Sequence, residues 1–249
     1  MKVYIDWHYD IDPSPINTWS RTKNIHECDI VVSVNKNKFY DKKTINWLYE
    51  PESIISSVYK NCLNSNNYIA THRVDSSFNK KITIPPCFPS WIDECDRKIY
   101  NKTKLVSMVA SKKNICSGHS IRQQVADANE NNLDLYGFGR KNQLDKKIEG
   151  LKDYMFSVAM ENSVADIYYT EKLLDCFLTG TIPIYWGSKK INDVFDKNGI
   201  IFLNDDFTIP EISEEIYISK LNSIKNNFEL AHKYNYKASD GIQFITEQL

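Results

Sequence analysis

Residues 161–187 read "ENSVADIYYTEKLLDCFLTGTIPIYWG". The first half is crowded with hydrogen-bonding side chains, and the second turns abruptly apolar. Leu173, Leu174, Phe177 and Leu178 recur at helical spacing, and Gly180 stands where a helix would end. Residues 181–187 then read as a short strand, and "YMFSVAME" at 154–161 reads as another just upstream. Strand, polar turn, helix and strand in that order are the building block of an α/β fold.

The same alternation extends in both directions. "KLVSMVAS" at 104–111 predicts a strand, "HSIRQQVADANENN" at 119–132 a helix with Ser120 as its N-cap, and "LDLYGFG" at 133–139 a strand ending in glycines. "IIFLND" at 200–205 predicts one more strand, and helical periodicity runs from Pro210 to near the end. Towards the N-terminus, "KVYIDW", "CDIVVSVN", "TINWLY", "NYIATH" and "KITI" read as strands, with a helix after Pro51. "PPCFPSW" at 85–91 is the most proline-dense segment and reads as a linker extending to about residue 103. Two α/β domains are expected: residues 1–103 including the linker, and residues 104–249.

Composition narrows the function. A chain of 249 residues supports a real core, and its formal charge of −1 argues against a general nucleic-acid binder. No apolar run approaches the ~20 residues of a transmembrane helix, and the start lacks the apolar core of a signal peptide. A cytoplasmic protein, or one soluble piece of something larger, is the expectation. The six cysteines, at 28, 62, 87, 95, 116 and 176, form no C-x-x-C pair, so they read as small buried residues rather than zinc ligands.

In open α/β sheets, ligands sit beyond the carboxyl ends of the strands, where helices begin. Lys172 in a first helical turn suits an anionic group, a diphosphate above all. Glu171 beside it would repel phosphate but is suited to accepting hydrogen bonds from sugar or ribose hydroxyls. The pair fits a nucleotide sugar better than a bare phosphate. Thr170 also has a simpler reading as an N-cap. Arg122 lies near the start of another helix, where a guanidinium grips phosphate oxygens in bidentate fashion.

"YMFSVAMENS", "YYTEKLLDCFLTGTIPIYWGS", "LVSMVASKKN", "IRQQVADA" and "LDLYGFGR" together resemble the C-terminal donor-binding domain of the family 10 glycosyltransferases, the α1,3-fucosyltransferases. The resemblance covers about residues 104–205. It implies a GT-B fold, two Rossmann-like domains facing a central cleft. It implies inverting transfer of fucose from GDP-fucose to an acceptor glycan, with no metal or other cofactor. Residues 1–103 would then be the acceptor side and 104–249 the nucleotide-sugar side. Arg122 and Lys172 would bind the diphosphate, Asn162 and Tyr168 would line the donor pocket, and Glu171 would reach the ribose or sugar.

Inverting transfer needs a general base to take the acceptor proton. In "WLYEPESI" at 47–54, Glu50 falls on the family's catalytic position, although Leu-Tyr stands where the family usually has Thr-Gly. Glu52, behind Pro51, reads as a residue complementing a helix dipole. "DWHYDID" at 6–12 resembles the loop after the first strand of bacterial members, which makes Trp7 and His8 acceptor-side candidates. Asp10 and Asp12 are the next candidates for the base. Two alternatives stay open: the same fold with another nucleotide sugar, and a non-catalytic protein that binds a nucleotide sugar or a glycan.

Overall fold

Runs rich in apolar residues become strands buried on both faces, as Ile30–Val34 and Tyr154–Met160 show along their whole lengths. The computed structural model describes residues 1–7, 19–74, 77–188, 190–204 and 206–249. Its strands are β1 (Lys2–Asp6), β2 (Ser20–Thr22), β3 (Ile30–Val34), β4 (Lys43–Leu48), β5 (Tyr68–Thr71), β6 (Lys81–Thr83), β7 (Lys104–Val109), β8 (Asp134–Tyr136), β9 (Tyr154–Met160), β10 (Ile182–Trp186) and β11 (Ile201–Phe202). Its α-helices are α1 (Glu52–Cys62), α2 (Ser117–Ala128), α3 (Glu171–Phe177), α4 (Glu214–Ser219), α5 (Leu221–Lys233) and α6 (Ala238–Glu247).

The first unit comprises Met1–Phe88, Asp166–Tyr168 and Tyr236–Leu249. Its six-stranded sheet runs β2-β1-β3-β4-β5-β6, and every pairing is parallel. The period of two along each strand sorts side chains to the two faces. Ile45 and Trp47 join a core with Ile242 and Ile245 of α6, while Leu48 and Ile69 join Tyr59 and Cys62 of α1. Strand β2 was not legible in the sequence, because Ser-Arg-Thr carries no apolar alternation.

The second unit comprises Pro89–Ala165 and Tyr169–Asn235, with a parallel sheet in the order β11-β10-β9-β7-β8. Val106, Met108, Phe156, Val158, Ile182 and Ile184 form one core with Val125 of α2, Tyr217 of α4 and Ile224 of α5. Helix α3 packs on β9 and β10. Gly180, three residues past its last turn, has φ of +71°, the left-handed conformation that a helix-terminating glycine takes at little cost.

These units divide differently from the expected boundary at 103/104, and the side chains give the reason. Lys102 sends its ammonium to Thr179 O at 2.8 Å and Thr181 Oγ1 at 2.9 Å, while Tyr100 N donates to Thr179 O at 3.4 Å. The proline-rich segment from residue 89 therefore belongs with the second sheet. The C-terminal helical run, expected in the second domain, breaks into three helices, and α6 returns to the first unit.

Gly241 shows how tightly α6 is seated. A Cβ there would stand 2.4 Å from Trp47 Cη2 and 3.0 Å from Cys87 Sγ. Gly241→Ala gains ~1 kcal/mol of helix propensity against an overpacking cost of ~1–3 kcal/mol. Urea unfolding should therefore show a net loss of stability, and a gain would mean that α6 does not depend on this contact.

Candidate functional site

The strand order of the second unit makes β7 and β9 neighbours whose following helices lead to opposite edges of the sheet, α2 towards β8 and α3 towards β10. Such a switch point leaves a crevice outside the carboxyl ends of the two strands, where ligands bind. Glu161, Asn162, Arg122 and Lys172 all belong to the segments that leave those ends.

Glu161 is fully buried directly after β9 and accepts hydrogen bonds from Thr170 N and Thr170 Oγ1, both at 2.8 Å. Burial lifts its carboxyl above the ordinary range against the pull of Lys172. The two bonds bring the chain back after the polar turn and set Thr170 as the N-cap of α3, its hydroxyl accepting from Lys172 N. Lys172 Nζ lies 3.0 Å from Thr170 Oγ1, 3.0 Å from Glu171 Oε1 and 3.6 Å from Glu161 Oε2. For Glu171, burial works to raise the carboxyl, but Lys172 and then Lys147 outweigh it and hold it at about 2. Glu171 is thus an ionised acceptor, and Lys172 an ammonium steered by three oxygens.

Arg122, on α2, is only 6% exposed and donates from Nη2 to Asn162 Oδ1 at 2.5 Å. Helix α2 begins at Ser117, three residues before the expected N-cap Ser120, whose hydroxyl goes to Asn114 Oδ1 at 2.7 Å instead. The reason is Gly118: a Cβ there would lie 2.3 Å from Asn162 O, so the first turn of α2 rests directly on that backbone. His119 is buried in the same turn, its Nδ1 accepting from Ile115 N at 3.2 Å. Burial first, then Arg122, Lys172 and Lys113, depress its pKa to about 4.

A cavity of about 630 Å³ opens onto these groups, lined by Arg122, Glu171 and Lys172 together with Lys113, Lys147 and Trp91 among others. Sequence reasoning missed Lys147, Trp91 and the buried Asp175 that ties them together. Asp175 Oδ1 accepts from Trp91 N at 2.9 Å, and its Oδ2 pairs with Lys147 Nζ at 2.7 Å. Burial works against the Lys147 charge, but Asp175 and Glu171 raise its pKa above the ordinary value. The available signal for Asp175 was a carboxylate inside the apolar run from Leu173 to Leu178.

The remaining candidates separate. Asn162 does not line the cavity; it holds the Arg122 guanidinium. Tyr168 belongs to the first unit and is fully buried, stacked on His72 with ring centres 5.1 Å apart and set edge-on to Phe88, so it is not part of the cavity. Trp7 packs against Tyr49 and Trp47 at ring distances of 5.0 and 6.2 Å, and its ring serves the first unit's core. His8, Asp10 and Asp12 lie outside the described residues. Glu50 follows β4 in the first unit, and Asn35 Oδ1 accepts its backbone N–H at 3.0 Å. Glu52 opens α1 and is bonded to Arg73, which adds an ion pair to its place at the helix start.

Two parallel α/β units of this kind are the GT-B type of fold. The chain belongs to glycosyltransferase family 10: residues 99–240 match the family's C-terminal model, described as "Glycosyltransferase family 10 (fucosyltransferase) C-term". It is 30% identical over 114 residues to an α-(1,3)-fucosyltransferase FucT of Helicobacter pylori, covering 45% of this chain and 23% of that protein. It is 40% identical over 88 residues to α-(1,3)-fucosyltransferase B of Drosophila melanogaster, covering 34% of this chain and 19% of that one. The matched stretches thus span less than a quarter of either relative. A crystal structure of an α1,3-fucosyltransferase with GDP-fucose superposes with a TM-score of 0.59 at 17% identity, covering 99% of this chain and 89% of that one. No helix among the described residues is long and apolar enough to cross a membrane.

The depressed His119 pKa has a consequence for stability. Between about 6.5 in the unfolded chain and about 4 in the folded one, the unfolded state binds more protons. Stability should therefore fall as pH drops through that window, with His72, also at about 4, adding a second share. His119→Asn should flatten the dependence measured by urea unfolding at pH 7 and pH 5. An unaltered slope would contradict the neutral, accepting ring.

Proposed function

We propose that this chain is an inverting glycosyltransferase that moves fucose from GDP-fucose to a hydroxyl of an acceptor glycan without a metal ion. The observation that carries the reading is the convergence of Arg122 and Lys172, with the ionised Glu171 between Lys172 and Lys147, on one cavity at the β7/β9 switch point. Two fixed cations suit a diphosphate, and a carboxylate held near 2 suits the hydroxyls of a ribose or a sugar. Support for fucose over another sugar comes from family membership and from the related enzyme crystallised with GDP-fucose.

In this reading the Glu50 carboxylate takes the proton of the acceptor hydroxyl as that oxygen attacks C1 of the donor. The C1–O bond to the β-phosphate breaks, and its electron pair leaves with GDP. Arg122 and Lys172 stabilise the charge gathering on the departing diphosphate, the part a metal plays in other transferases. Asn162 acts through Arg122, as the acceptor that fixes the guanidinium. Asn35, holding the Glu50 backbone from the end of β3, does the same for the base.

Arg122→Ala and Lys172→Ala should each weaken GDP binding about ten- to a hundredfold, the scale of one lost charge-assisted contact. Calorimetric titration checks this, and unchanged affinity in both variants would remove the cations from the donor site. Chelator should leave turnover largely intact. Glu50→Gln should lower GDP release from GDP-fucose in the presence of acceptor by roughly 10²–10⁴ while GDP affinity stays within a few-fold. Glu52→Gln should retain most activity; if the two variants exchange behaviour, the base is Glu52.

A further inference from the structure

Trp91 is 68% exposed, an unusual situation for the largest apolar side chain, and nothing in the reaction outlined above uses it. Its exposure is built. Ser90 Oγ donates to Asp175 Oδ1 at 2.5 Å, Trp91 N donates to the same oxygen at 2.9 Å, and Ile92 N donates back to Ser90 Oγ at 3.0 Å. Ser90 N is held in turn by Asn235 Oδ1 at 2.7 Å. Asp175 is fully buried, so the backbone that presents the indole is anchored to the interior and not to solvent. The Lys147 ammonium sits 5.1 Å from the ring centre, held there by Asp175 at 2.7 Å. A cation over the ring helps to fix its plane, and most of the indole stays exposed.

The ring also stands at a boundary. Trp91 lines the 630 Å³ cavity of Arg122 and Lys172, and it lines a second cavity of about 230 Å³ with Asp93, Asp96, Asp145, Lys146 and Lys147, where Asp93 is paired with Lys146 at 2.8 Å. An exposed aromatic ring bordered by carboxylates and ammoniums, acceptors and donors of hydrogen bonds, is the chemistry that recognises a pyranose. The ring's C–H hydrogens carry partial positive charge and meet the negative π face, while the hydroxyls find acceptors at the edge. A nucleobase would also stack, and a matching loss of GDP affinity on removing the ring distinguishes it.

We propose that Trp91 is the stacking platform of a sugar subsite, with the neighbouring 230 Å³ cavity receiving hydroxyls of the same pyranose or of the next residue of a glycan. The ligand class rests on the glycosyltransferase reading; the platform itself rests on the Asp175 anchor. The sugar that stacks belongs either to the donor or to the acceptor, and kinetics separate the two.

The test uses Trp91→Ala and Trp91→Phe in the full chain, with GDP affinity, KM for GDP-fucose and KM for acceptor glycan measured in each. Loss of one aromatic stack predicts a rise of roughly tenfold in the KM of the sugar-bearing substrate for Trp91→Ala, largely restored in Trp91→Phe. GDP affinity and melting temperature should stay at the parent values. If the acceptor KM moves alone, the platform holds the acceptor; if the GDP-fucose KM moves alone, it holds the donor's sugar. Unchanged KM values in an active protein overturn the inference, as does a matching loss of GDP affinity, which would make Trp91 a nucleobase contact. A parent chain that binds no GDP overturns the glycosyltransferase reading instead. Stacking is then judged by quenching of indole fluorescence with free oligosaccharide, parent against Trp91→Phe, and no quenching in the parent overturns the platform as well.

Discussion

The second unit's site depends on one buried carboxylate. Glu161 follows a wholly buried strand, has no access to water, and spends its two oxygens on the N–H and hydroxyl of Thr170. Those bonds close the polar turn 162–169 and start α3, whose Thr170 oxygen then steers Lys172. Removing the carboxylate would leave two buried donors without their acceptor, a cost of several kcal/mol on the ~1–3 kcal/mol scale per group. The proposed donor site is thus an outgrowth of the sheet, not a decoration on a loop.

Helix α3 needs this help because it has only seven residues, far below the length at which a helix persists alone. Leu173, Leu174 and Phe177 bury its apolar side, Glu161 fixes its entry, and Asp175 ties its middle to Ser90, Trp91 and Lys147. Asp175 therefore links the helix carrying Glu171 and Lys172 to the segment that carries the exposed indole. Charges of both signs are held close together in a mostly dry place, which explains why Glu171 stays ionised despite its burial.

Much of the fold was legible because buried parallel strands are continuous apolar runs, as in "DIVVSV" and "YMFSVAM", and those runs survive as β3 and β9. The Glu171–Lys172 pair was legible because a helix start after a strand is a local signal. What was not legible depends on distant packing. Tyr168 sits in a motif dense with polar groups, yet its ring is buried against His72 nearly 100 residues earlier. Trp7 reads as a loop aromatic, but Trp47 and Tyr49 take its ring. No periodicity announces that α6 returns to the first sheet, since that is settled by the fit of Gly241 against Trp47. Trp91, lodged in a proline-rich linker, reads as irregular chain until Asp175 is placed beside it.

The proposed function stands on recognition of a diphosphate by Arg122 and Lys172 at the β7/β9 switch point. The most direct measurement is calorimetric titration of the parent and of the Arg122→Ala/Lys172→Ala double variant with GDP, GMP and guanosine. In the parent, affinity should fall stepwise as each phosphate is removed; in the double variant the three ligands should bind alike, at the level of guanosine. A double variant that still prefers GDP over guanosine as strongly as the parent would contradict the claim.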